Sequence, residues 1–159
     1  AHKHGSFQLA QNVFVFVSLD EEIDTAPFIE YAWGIGKSVF VPRMTSNPDH
    51  VEHVRITRDT NWNISSFGIR EPETTPEEQV IHSDQISEKD VIVVPVLAFD
   101  TSLHRIGYGK GVYDRILASA KGTSIGIAYE FQKVKKLAPE PHDVALKAIA
   151  TEERWYRAD

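Results

Sequence analysis

Between Val91 and Arg115 the chain reads VIVVPVLAFDTSLHRIGYGKGVYDR, its most chemically loaded stretch. Gly107, Gly109 and Gly111 fall at alternate positions, so three of the nine glycines lie within five residues. Glycine admits positive φ and lets a ligand approach the backbone closely. Successive backbone N–H groups in such a loop can form a nest for an anion, and a helix start adds further unsatisfied N–H groups. Between His104 and Lys121, Arg105, Lys110, Arg115 and Lys121 stand against a single acid, Asp114, a local charge of +3. A basic patch in an acidic chain suits a small anion such as a nucleotide phosphate. The same residues also suit a flexible strand-to-helix turn with its charges on a solvated face. The spacing is neither G-x-G-x-x-G nor G-x-x-x-x-G-K-[ST]. Asp114 likewise has two readings. It is an acid in a helix first turn, favoured by the macrodipole, or a carboxylate that holds Mg2+ against phosphate oxygens.

Such residues need a scaffold. The 159 residues are 42% hydrophobic and 25% charged, which supports one buried core and a single domain over residues 1–159. The net charge of −6 disfavours general nucleic-acid binding, because phosphate contacts need a basic surface. With no cysteine, disulfides, thiolate metal sites and cysteine nucleophiles are excluded. The apolar runs are too short to span a bilayer, and Ala1-His2-Lys3-His4-Gly5-Ser6 lacks the apolar core of a signal peptide. The expected location is the cytoplasm, with a mitochondrial form left open.

Val13 to Val17 is a run of β-branched and aromatic residues and predicts a buried strand. Thr25 is a candidate helix cap, with Pro27 in the first turn and Phe28, Ile29, Ala32 and Trp33 at helical spacing. Gly34 and Gly36 end that helix. Ser38 to Val41 reads as a second strand, completing a β-α-β unit. Val51, Val54 and Ile56 suggest a short strand, and Trp62 to Pro76 reads as loop, followed by a brief helical turn at Pro76-Glu77-Glu78. Val91 to Val94 is the strongest strand signal. Val112 to Ala120 predicts a helix, Ser124 to Ala128 a strand, Phe131 to Leu137 a short helix, and Ala148 to Thr151 a last strand. The alternation of β and α predicts an α/β domain of three layers, a mainly parallel sheet flanked by helices.

The run Pro95-x-Leu97-Ala98-Phe99-Asp100, followed by Arg105-x-Gly107-x-Gly109-x-Gly111-x-Tyr113-Asp114-Arg115, closely resembles the signature of the 5-formyltetrahydrofolate cyclo-ligases, also called 5,10-methenyltetrahydrofolate synthetases. Further blocks are similar to that family: Glu22-Ile23-Asp24-Thr25, Gly36-Lys37 with Val41-Pro42, and Phe67-Gly68-Ile69-x-Glu71-Pro72. So are Ile127-Ala128-Tyr129-x-x-Gln132, Pro141-His142-Asp143 and Thr151-Glu152-Glu153. The likeness runs from about Phe14 to Arg157.

The resemblance implies an enzyme that uses MgATP to cyclise 5-formyltetrahydrofolate to 5,10-methenyltetrahydrofolate, releasing ADP and phosphate. It implies that Arg105, Ile106, Gly107, Tyr108, Gly109, Lys110, Gly111, Val112 and Tyr113 wrap the ATP phosphates. Arg105, Lys110 and Tyr113 would act closest to the transferring phosphoryl group. Asp114 and Asp143 match Mg2+ ligands of the family. Glu22 matches a residue that binds the pterin, and Trp62 a loop tryptophan placed to stack on the folate. The segment Tyr108 to Val112 would also line the folate site. The family often has Tyr where this chain has Val112, which removes one hydroxyl.

Weaker candidates surround these. Arg43 follows a strand end, where α/β crevices lie, and could meet phosphate or a folate tail. His50, His53 and His104 have no recognisable metal-ligand spacing, and His142 stands beside Asp143. Folates carry polyglutamate tails, so Lys133, Lys135 and Lys136 are either tail contacts or a solvated helix face. Family members carry an N-terminal helical segment with a phosphate-binding Lys and Arg, and the expectation here is a domain without it. The alternative to a cyclo-ligase is a non-catalytic folate- or nucleotide-binding module of the same fold. An isomerase or CoA-transferase-like activity would rest on fold analogy alone.

Overall fold

Along three strands the buried residues alternate between two sides of one sheet. Val13, Val15, Val39, Val41, Val91 and Val93 belong to one apolar cluster, and Phe14, Phe40, Ile92 and Val94 to the other. A strand buried on both faces must be apolar at every position, which is why these segments read as continuous hydrophobic runs. The computed structural model describes residues 10–18, 24–45, 47, 50–64, 70–73, 80–107, 112–138 and 144–157.

The strands are β1 (Asn12–Val15), β2 (Ser38–Met44), β3 (Val51–Ile56), β4 (Trp62–Ile64), β5 (Arg70–Pro72) and β6 (Val80–His82). They continue as β7 (Val91–Pro95), β8 (Ala98–Phe99), β9 (Arg105–Ile106), β10 (Thr123–Ile127), β11 (Ala148–Ala150) and β12 (Trp155–Arg157). Two α-helices are described, α1 (Ala26–Gly34) and α2 (Val112–Ser119). One eight-stranded sheet has the order β12-β11-β10-β7-β1-β2-β3-β6. Its centre, β2-β1-β7-β10-β11, is parallel. Antiparallel β12 closes one side, and antiparallel β3 and β6 extend the other.

Helix α1 buries Ile29 and Ala32 in the valine-rich cluster, while Leu117 of α2 and the following Ala120 pack on the opposite cluster. The predicted three layers are therefore present, with few helices for so wide a sheet. From β1 the chain works outward through β2, β3 and β6, then returns to β1's other side with β7 and continues to β10 and β11. The strand order reverses between β1 and β7, and α/β sheets hold ligands at the carboxyl ends of strands at such a point.

Several local expectations need correction. Thr25 precedes α1, but its hydroxyl does not cap the helix. It donates to Phe16 O at 3.0 Å and accepts from Ser18 N–H at 3.3 Å, while Asp24 Oδ1 accepts the Ala26 N–H at 3.0 Å. Pro27 does stand in the first turn, and Gly36, at φ 81°, follows the helix as expected. The span read as loop from Trp62 contains the β4–β5 hairpin, in which Trp62 pairs with Pro72. The helix expected from Phe131 to Leu137 is a single 3-10 turn at Glu130–Gln132. Beyond it Lys133 bridges to Phe99, and Val134 N–H donates to Phe99 O at 2.8 Å, so backbone pairing replaces further helical turns. The turn expected at 76–78 lies outside the described residues.

Candidate functional site

Strand β7 ends at Pro95, beside the point where the strand order reverses. From there a short hairpin, β8–β9, turns the chain back so that Arg105 lies beside the end of β7. Arg105 Nη1 donates to Pro95 O at 3.3 Å. Its Nη2 stands 3.6 Å from Asp114 Oδ1 in the first turn of α2, and its Cζ lies 5.9 Å from the centroid of the Tyr113 ring. The Arg105 side chain is only 6% exposed and that of Asp114 26%. The structure thus brings three expected site residues together, Arg105, Tyr113 and Asp114, at the carboxyl edge of the sheet. Tyr113 also packs against both apolar clusters, which anchors the start of α2.

Gly107 has a reason different from conformational freedom, since its φ is not positive. A Cβ at this position would stand 2.3 Å from Arg105 Nη1. The missing side chain is the space in which the guanidinium lies. Ile106 is about half exposed beside it. Val112 opens α2 and is partly buried. Tyr108, Gly109, Lys110 and Gly111 lie outside the described residues, as do Glu22 and Asp143.

The chain on either side of two of these segments is nonetheless tied down. Ser18 and Thr25 exchange hydrogen bonds, Ser18 N–H to Thr25 Oγ1 at 3.3 Å and Thr25 N–H to Ser18 Oγ at 3.2 Å. That staple closes the sequence that contains Glu22. Leu137 N–H donates to Asp100 Oδ2 at 2.9 Å and Leu146 N–H donates to Leu103 O at 3.0 Å, closing the sequence that contains Asp143.

Asp100 is a residue to which sequence reasoning gave no role, although it stands in the Phe99-Asp100 pair that opens the signature. It is buried, and Oδ1 accepts from Ser102 N–H at 3.0 Å and His104 N–H at 3.1 Å. The His104 ring Nδ1 lies 3.4 Å from Oδ2. Burial pushes this carboxyl up, but the hydrogen bonds from Leu137, the His104 backbone and the His104 ring outweigh it. The carboxyl is held below its ordinary value of 3.8.

Other candidates have local partners of their own. Trp62 packs on the valine-rich cluster, and the Arg70 guanidinium covers its ring at 5.0 Å. Arg43 ties β2 to β3 through Glu52 at 2.9 Å and reaches Glu73 O at 3.4 Å. His53 is buried, with Nε2 2.8 Å from Ser83 Oγ and its ring edge-on to Phe14. Burial first, then nearby His82, pushes the His53 imidazole down to about 4. Lys133 lies 3.3 Å from Glu130 Oε2 and over the Tyr156 ring. A cavity of about 550 Å3 opens along the Arg115 and Ser119 side of α2, facing His50 and His82. Pairing of β3 with β6 assembles it, which no sequence spacing could indicate. Among the described residues no group of three His, Cys, Asp or Glu side chains could hold a metal ion, and of the two expected Mg2+ ligands Asp114 alone lies among them.

The description "5-formyltetrahydrofolate cyclo-ligase family" is that of a family model matching residues 1–152. The chain is 32% identical over 147 residues to the 5-formyltetrahydrofolate cyclo-ligase of Escherichia coli K12, covering 90% of this chain and 79% of that protein. It is 33% identical over 141 residues to that of Haemophilus influenzae, covering 86% and 73%. Its fold is similar to the solution structure of Aquifex aeolicus 5,10-methenyltetrahydrofolate synthetase, with a TM-score of 0.80 at 27% identity over 98% of this chain and 76% of that one. A Mycoplasma pneumoniae 5,10-methenyltetrahydrofolate synthetase matches with a TM-score of 0.62 at 26% identity, covering 88% and 72%. The chain belongs to the 5-formyltetrahydrofolate cyclo-ligase family.

Proposed function

We propose that this chain converts 5-formyltetrahydrofolate to 5,10-methenyltetrahydrofolate with consumption of ATP. The observation that carries this reading is Arg105, buried against Pro95 O and Asp114 at the carboxyl end of β7, with Gly107 leaving room for its guanidinium. A guanidinium carries five N–H donors, so one held by Pro95 O and Asp114 keeps others with which to meet a phosphate oxygen.

The reaction needs an activated formyl oxygen. The N5-formyl oxygen attacks the γ-phosphorus of ATP, and ADP leaves. The N10 amine then attacks the formyl carbon and loses its proton, and phosphate departs with the former formyl oxygen, the C–O bond breaking to leave the methenyl bridge. No covalent bond to the protein is required, so the protein's work is alignment and charge neutralisation. Arg105 neutralises charge on the phosphates, with Lys110 and the loop N–H groups of Gly107 to Gly111 as further donors. Tyr113 fixes the start of α2 and shields the Arg105–Asp114 pair from one side. Asp114 supplies a carboxylate for Mg2+, which usually takes one or two carboxylates besides phosphate oxygens. When bound, the ion would neutralise phosphate charge there, with Asp143 as the second ligand. By the resemblance Glu22 and Trp62 are the folate-side residues, and a pterin stacked on Trp62 would replace the Arg70 guanidinium that covers its ring. A tail of additional glutamates would meet Lys133, Lys135 or Lys136.

The test is direct. Mixing the chain with 5-formyltetrahydrofolate and MgATP should produce the near-UV absorbance of the methenyl product. No absorbance change with folded protein, or the same change without ATP, would refute the reading.

A further inference from the structure

Asp100 sits at the start of a turn that closes on itself. Its own N–H donates to His104 O at 3.1 Å, and Leu103 N–H donates to Asp100 O at 3.0 Å. Leu103 takes φ 69°, a left-handed conformation that a leucine adopts only when its surroundings require it. Leu103 is buried in the core cluster that also holds Phe99 and Leu146. The carboxylate inside this turn accepts the N–H groups of Ser102, His104 and Leu137 and faces the His104 ring. The next residue in the chain is Arg105.

We propose that Asp100 is a positioning residue for the phosphate site: its buried carboxylate locks the Asp100–His104 turn and thereby delivers Arg105 to Pro95 O and Asp114. The inference rests on the reading of Arg105 as a phosphate ligand. A carboxylate is the side chain the turn requires. Both oxygens face N–H donors, so an amide in its place would point its own NH2 at one of them. Replacement of Asp100 by Asn keeps the size and inverts the hydrogen bonding at one oxygen, which leaves a buried donor facing a donor. Opening of the turn frees Arg105 directly, whereas the β4–β5 hairpin and the β1–α1 staple are held by hydrogen bonds of their own. Loss of the carboxylate should therefore reach the nucleotide before it reaches the folate.

The experiment is calorimetric titration of wild type and Asp100→Asn, each with MgATP and separately with 5-formyltetrahydrofolate. We expect folded Asp100→Asn to bind MgATP at least tenfold more weakly and 5-formyltetrahydrofolate within twofold of wild type. Equal loss for both ligands would mark a merely structural role and overturn the proposal, as would unchanged MgATP affinity. A second measurement needs no variant. Because coupling is reciprocal, saturating MgATP should slow hydrogen exchange at the Ser102, His104 and Leu137 amides of the wild type, and 5-formyltetrahydrofolate alone should not. Unaltered exchange with MgATP bound would contradict the proposal even if Asp100→Asn fails to fold. A wild-type chain that binds no MgATP would defeat the functional reading itself, and this inference with it.

Discussion

Arg105 Nη1 lies 2.3 Å from where a Cβ on Gly107 would stand. The two residues therefore share one volume, and only the absence of a side chain at 107 lets the guanidinium keep its place. Gly107→Ala should displace Arg105 without disturbing the core, because the colliding atom is the end of a long side chain. The expected result is a stability change of at most about 1 kcal/mol in denaturant titration, on the scale of ordinary non-core substitutions. MgATP affinity in calorimetry should fall about tenfold, which corresponds to about 1.4 kcal/mol. Full MgATP affinity in Gly107→Ala would show that this position of Arg105 is irrelevant to nucleotide binding.

Arg105 and Asp114 hold each other at 3.6 Å, but their proposed partners differ, phosphate for one and Mg2+ for the other. Arg105→Ala should weaken nucleotide binding about 10- to 100-fold, the loss of one charge-assisted contact of roughly 1–3 kcal/mol. Folate binding should stay within twofold. Asp114→Asn should remove the Mg2+ dependence of ATP binding and leave the melting temperature near that of wild type. Asn keeps a carbonyl oxygen that can accept from the buried Arg105 guanidinium, and position 114 is itself partly exposed, so the stability cost is small. Folate affinity falling more than nucleotide affinity in Arg105→Ala would reverse the assignment.

His53 provides a pH test of the core. Its imidazole is held at about 4 against an ordinary 6.5, so between those values the unfolded chain binds a proton that the folded chain refuses. Stability from this group is complete above pH 6.5, declines as pH falls through the window, and is gone below about pH 4. The shift corresponds to roughly 3 kcal/mol. His53→Gln keeps a polar contact to Ser83 but cannot titrate. Its unfolding free energy should therefore change less between pH 7 and pH 4.5 than that of wild type. Parallel pH profiles for the two proteins would show that His53 is not the source.

Gly126 in β10 faces a packed wall. A Cβ there would lie 2.7 Å from Leu146 Cδ1 and 2.9 Å from Val96 Cγ2. Gly126→Ala should destabilise the fold by about 1–3 kcal/mol through overpacking. A chemical denaturation midpoint equal to that of wild type would show that Leu146 and Val96 repack freely.

The central strands and the grouping of Arg105, Tyr113 and Asp114 were legible because both leave local signatures. Continuous apolar runs mark strands buried on two faces, and a strand, a glycine-rich loop and a helix in succession keep Arg105, Tyr113 and Asp114 close along the chain. What stayed hidden depends on partners far along the chain. Asp100 is ordered in part by Leu137, 37 residues away, and nothing near Asp100 indicates that pairing. Thr25 looked like a helix cap because its type and position fit. The nearby end of β1 offered its hydroxyl the Phe16 carbonyl instead. Strands β8 and β9 span two residues each, too short for any periodicity, yet they aim Arg105. The side chain of Gln132 illustrates the same limit. It donates to Val96 O and Leu97 O at 2.9 and 3.0 Å, fixing the end of β7 from a segment that resembled a helix.

Coupling of phosphate release to methenyl formation tests the functional claim most directly. Both products can be followed in one reaction of the wild-type chain with MgATP and 5-formyltetrahydrofolate, using absorbance for the methenyl folate and a phosphate assay for the other. One phosphate should appear for each methenyl group formed, and neither product should appear when ATP or the folate is omitted. Phosphate release without the chromophore, or no turnover by folded protein, would contradict the assignment of a cyclo-ligase reaction to this chain.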